Sequence, residues 1–143
     1  MNVTNRAIRF LSVALVLAHL VISTFHGRAH HGAMVTLTTF GYVYVLVVIT
    51  LAPLVAGGLL FTRWAKPGAL LLALSMFGSF AFGSWYHFLS ATTDNVTEVH
   101  GPWSSTFFWT ASALALIEIA GVFVGFWAFR TLGAGESKRS REQ

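Results

Sequence analysis

Six histidines (His19, His26, His30, His31, His87 and His100) and a few acids carry most of the chemical potential of this sequence. Cysteine is absent, which removes disulfides, iron–sulfur clusters, thiolate zinc sites and cysteine nucleophiles together. A metal site here must be built from imidazole, carboxylate or thioether; the methionines are too few and scattered for a copper(I) relay, and imidazole with carboxylate suits Zn, Cu(II), Ni or non-haem Fe. His19, His26 and His30 are spaced seven and four apart. At about 100° per residue these positions line one stripe of a helix. They do so for His30 only if the helix continues through Gly27. A four-residue step also lets His26 and His30 reach a single ion, as paired histidines do on zinc-binding helices.

What must position these side chains is a membrane bundle. Only 10% of the chain is charged, 55% is hydrophobic and the mean hydropathy is +0.68. A soluble domain normally carries about 25% charged residues. Four apolar stretches are each close to or beyond the roughly 20 residues that cross a hydrocarbon core. They predict helices over about 8–26, 35–61, 69–89 and 106–130. The fold class is therefore all-α, a polytopic four-transmembrane-helix bundle. Short links favour up-down-up-down connectivity. Residues 1–132 form this one domain, and the small, polar and charged segment 133–143 reads as a disordered tail. The second stretch is long enough to tilt, and Pro53 offers it a place to kink. Arg6 and Arg9 before an apolar run are also features of a cleaved leader. His19 inside the run and the lack of a clean small-x-small site after it argue for retention.

Basic residues set the orientation. Arg6, Arg9, Arg63, Lys66, Arg130, Lys138, Arg139 and Arg141 fall on one side, and only Arg28 on the other. The positive-inside rule makes the populated side cytoplasmic, with both termini there. The expected location is the plasma or inner membrane. Trp64 and Trp127 then sit near the inner interface, and Trp85, Trp103 and Trp109 near the outer one, as an aromatic belt requires. The sequence pI near 10.1 reflects these topological charges, not a nucleic-acid-binding face. The bilayer is the expected partner, together with other membrane subunits or a second copy of the chain. Gly121 and Gly125 form a GxxxG pair in the fourth stretch. With Gly57, Gly58, Gly78 and Gly83, they are positions where helix backbones can approach closely.

With this topology, every histidine lies in the outer half or near the midplane. His26 is about 27 Å above Ile8, and His87 about 27 Å above Ala69, at 1.5 Å per residue. The two imidazoles should share a depth and meet across a seam. Asp94 and His100, in the loop after the third helix, are candidates to complete a ligand set of His26, His30 and His87. Glu98 shares that loop. A b-type haem held axially by His26 and His87, with Gly83 leaving room for the ring, is the competing cofactor. Deeper in the bilayer, Glu118 lies roughly 18 Å above the inner end of its helix and His19 roughly 17 Å. An ionisable group at that depth is costly and turns inward to a partner, so Glu118 and His19 are expected to pair.

Three function classes follow. The first is a small membrane protein binding a metal ion or haem near the outer face, in redox chemistry or metal handling. The second is an accessory subunit with no chemistry of its own. The third is a small proton-coupled transporter using Glu118 and His19. Nucleophile triads, phosphate-binding glycine loops and dinucleotide fingerprints are absent, so the sequence carries no enzyme signature.

Overall fold

The computed structural model describes the backbone of residues 3–139 and the side chains of residues 3–132. Four helices long and apolar enough to cross a membrane make an all-helical bundle. They are α1 (Val3–Gly32), α2 (Thr39–Leu59), α3 (Ala65–Leu89) and α4 (Ser104–Arg139). Helix α1 overruns the expected 8–26 at both ends. Hydropathy marks where a helix lies in lipid, whereas polar Thr4, Asn5 and Arg6 extend it beyond that zone. Helix α1 continues unbroken through Gly27, which aligns His30 with His26. Helix α2 begins four residues later than expected, where the Thr38 hydroxyl accepts the Gly41 amide as an N-cap. Helix α4 runs on to Arg139. The segment 133–143 expected as a disordered tail is helical in its backbone as far as Arg139, and residues 140–143 lie outside the described residues.

Two stretches widen from α-helical to π-helical hydrogen bonding. Val45–Leu51 in α2 lies just before Pro53, and the Ala52 amide reaches back five residues to the Val47 carbonyl. Proline cannot donate an amide and crowds the preceding turn, so the ladder locally re-registers. The second, Trp85–Leu89, ends α3 and contains His87. Its Ser90 amide bonds the Trp85 carbonyl at 2.7 Å.

Packing runs around the bundle from α2 to α3, α3 to α4 and α4 to α1. Small residues govern the closest seam. A Cβ on Gly125 would stand 2.7 Å from the Ala73 backbone nitrogen, and one on Gly121 would stand 2.6 Å from Met76. The GxxxG pair therefore marks where α3 and α4 backbones meet. Helix α1 touches α2 toward the end of the bundle where the termini lie. There Gly57 faces Val13 and Val16, and Val16 packs with Ala56, Leu72 and Met76. Leu17, Val21, Leu46, Phe77, Leu116 and Phe123 face outward, where lipid rather than protein would cover them.

Candidate metal centre

His26 and His30 are raised by consecutive turns of α1, and His87 by the π-helical end of α3. The extra residue of a π turn shifts side-chain direction relative to an α-helix, and His87 is buried there. One ring nitrogen from each of the three lies within 4.8 Å of the others. His26 Nε2 is 3.0 Å from His87 Nε2 and 3.2 Å from His30 Nε2. Ligand nitrogens on a tetrahedral zinc-type ion, with metal–nitrogen bonds of about 2.0–2.1 Å, stand about 3.3–3.4 Å apart. The observed separations are already close to that geometry.

The partners of the opposite ring nitrogens fix the tautomers. His26 Nδ1 is 2.8 Å from Thr110 Oγ1, whose hydroxyl proton is directed to the Thr106 carbonyl at 2.7 Å. Thr110 can then only accept, so His26 Nδ1 donates. His87 Nδ1 lies 3.0 Å from the Asp94 main-chain carbonyl, which also can only accept. Both rings thus carry their proton on Nδ1 and point Nε2 lone pairs at each other. Two lone pairs at 3.0 Å repel unless a cation lies between or beside them. Hydrogen bonding of the distal ring nitrogen to a carbonyl or hydroxyl is the usual way a ligating histidine is oriented.

Asp94 reinforces the point. Its Oδ1 is 3.2 Å from His87 Nδ1 and 3.4 Å from His30 Nε2, yet both carboxylate oxygens are buried without a hydrogen-bond partner. Such unsatisfied buried groups are uncommon and call for an explanation such as an ion. The loop that holds Asp94 is pinned to α3 by the Val96 amide on the His87 carbonyl at 2.9 Å. Phe107 of α4, fully buried, covers the three rings at centroid distances of 4.8–5.3 Å.

Of the residues singled out from the sequence, His26, His30, His87 and Asp94 come together here. His100 is exposed on the loop and stands outside the converging group. Glu98 is exposed too. His19 and Glu118 meet as a separate pair, Nε2 to Oε1 at 3.2 Å, with side chains only 2% and 4% exposed. Thr110 and Phe107 were not anticipated. Nothing in their spacing distinguishes them from other residues of an apolar helix.

The three histidines and Glu118 line one cavity of about 390 Å³ among all four helices. Gly83 separates the two groups: a Cβ there would lie 3.8 Å from the His87 ring and 4.0 Å from Glu118 Oε2. No family model, curated protein or solved structure matches the chain. The chemistry must be argued from the site alone.

Proposed function

We propose that this multi-pass membrane protein binds one divalent transition-metal ion through His26, His30 and His87, and acts in metal handling or redox chemistry. The supporting observation is the convergence of three imidazole nitrogens, two of them with tautomers fixed so that lone pairs face inward. Neutral imidazoles with a neighbouring carboxylate suit Zn, Cu(II), Ni or Fe(II). Asp94 supplies a negative charge beside the ion, its Oδ1 3.2 Å from His87 Nδ1 and 3.4 Å from His30 Nε2. Three protein ligands leave a position for water or a ligand, the pattern of reactive rather than purely structural sites.

The same distances favour a bare ion over haem. Axial haem ligands stand on opposite faces of the ring, about 4 Å apart across two iron–nitrogen bonds of about 2 Å. A nitrogen pair 3.0 Å apart with a third imidazole alongside suits one small ion better than a porphyrin between two axial rings. By the positive-inside rule the histidine end of the bundle faces outward and both termini are cytoplasmic.

Titration of purified, chelator-stripped protein with Co2+ tests this proposal. A visible ligand-field spectrum of four-coordinate type, saturating at one equivalent and lost in His26→Ala and His87→Ala, is expected. A Soret band in the protein as isolated would replace the ion with haem, and no spectral change would remove the proposal.

A further inference from the structure

The cavity beside the three histidines has a polar end and an apolar body. Its polar end is formed by the histidines, Asp94, Ser23 and Glu118, and its body by residues such as Leu37, Val45, Ile49, Phe82 and Leu114. Two of the polar groups lack partners. The buried Ser23 hydroxyl has none, and neither Asp94 oxygen is hydrogen-bonded. Ser23 continues the α1 stripe between His19 and His26, so its unsatisfied hydroxyl stands between the Glu118 pair and the imidazoles. A wholly apolar ligand would leave them unsatisfied, which is costly. A wholly polar one would leave the greater, apolar part of the wall uncovered.

Helices α1 and α2 part over the outer half of the bundle. Helices α1 and α2 meet near Gly57, but farther along α2 the side chains of Tyr42, Val45 and Ile49 face α1 across the cavity rather than against it. The volume lies in the range of small-molecule sites, about 300–1,000 Å³. Asp94 and Glu118 already offset the charge of a divalent ion at the polar end, so an anionic head would add uncompensated charge in a low-dielectric site.

We infer that this cavity binds an uncharged amphiphile from the membrane, its hydroxyl or carbonyl oxygen at the open position of the ion and its hydrocarbon chain among Val45, Ile49 and Leu114. The inference rests on the metal-binding proposal for the head group, whereas the placement of the chain is independent of it. Ser23 and Glu118 Oε2 are the hydrogen-bonding groups that receive the head. Gly83 keeps the passage between Glu118 and His87 clear.

Photolabelling with a diazirine-bearing octanol, read by peptide mass spectrometry on detergent-purified protein, separates the two parts. Label should concentrate on Val45, Ile49 and Leu114, be competed by unlabelled 1-octanol, and rise at least threefold when the protein is loaded with Zn2+. Ala115→Phe, which fills the cavity, should cut labelling at least fivefold while metal content is retained, and that retention reports an intact fold. Uncompeted label spread over outward-facing Leu46, Leu116 and Phe123 would overturn the chain site. Competed cavity labelling that is indifferent to metal, in protein shown to bind it, would overturn the placement of the head on the ion. Failure to bind metal at all would strike the proposal on which the head group depends.

Discussion

Single atoms decide the chemistry at the residue scale. Thr110 matters because its proton is committed to the Thr106 carbonyl, leaving an oxygen that can only accept from His26. Thr110→Val should keep the fold and lower metal affinity about 10- to 100-fold, the usual cost of removing an outer-shell partner, as measured by competition with a chromophoric chelator. Metal affinity should also fall as pH falls, because a ligand nitrogen that takes a proton can no longer bind the ion. The same titration at a series of pH values checks the sign. An affinity that rose with acidity would contradict imidazole ligation. The sequence made part of this site legible. Spacings of seven and four put His19, His26 and His30 on one stripe, and equal depths brought His87 level with His26. Asp94 and His100 were equivalent as loop residues because a loop has no period from which to read direction. The structure separates them: Asp94 is buried against two of the rings and His100 faces outward.

Helix geometry positions those atoms. The π-helical end of α3 and the unbroken run of α1 through Gly27 were beyond reach of hydropathy, which registers apolar content and not the hydrogen-bond register of a turn. The close seam was more accessible, since small residues four apart on α4 pointed to close backbone approach, although glycine is common in membrane helices generally. Gly125→Val places side-chain atoms where the Ala73 backbone already lies, and backbone cannot move aside as a side chain can. A loss of about 1–3 kcal/mol, the usual cost of overpacking, should appear as a lower thermal midpoint in detergent. Gly27→Ala, with nothing within 4 Å of its Cβ, should hold or slightly raise the midpoint, because alanine is favoured over glycine inside a helix by about 0.5–1 kcal/mol. Between α1 and α4, His19 and Glu118 form a buried pair whose members depend on each other. Removing one partner of such a pair costs about 3–5 kcal/mol because the other is left uncompensated. His19→Leu should therefore destabilise more than the double variant His19→Leu/Glu118→Leu. Additive losses would mean that the two side chains do not interact.

Across the whole molecule, four apolar helices and an asymmetric distribution of basic residues give the bundle a direction. Apolar content was enough to foresee the four helices. Their arrangement needed the structure, because lipid-facing and buried residues are equally hydrophobic and carry no periodic signal. The absence of native cysteine makes orientation simple to measure. In intact cells a membrane-impermeant maleimide should label Thr93→Cys, in the loop after α3, and leave Thr62→Cys, between α2 and α3, unlabelled until the membrane is opened. The reverse pattern would turn the histidine end toward the cytoplasm without dispersing it.

The metal content of protein purified from the membrane bears most directly on the central proposal that three histidines hold one ion. The account predicts about one equivalent of a transition metal per chain, lost when His26, His30 and His87 are together replaced by alanine in protein that still elutes as a folded species. Wild-type protein without metal after supplementation, or metal retained by the triple variant, would contradict it.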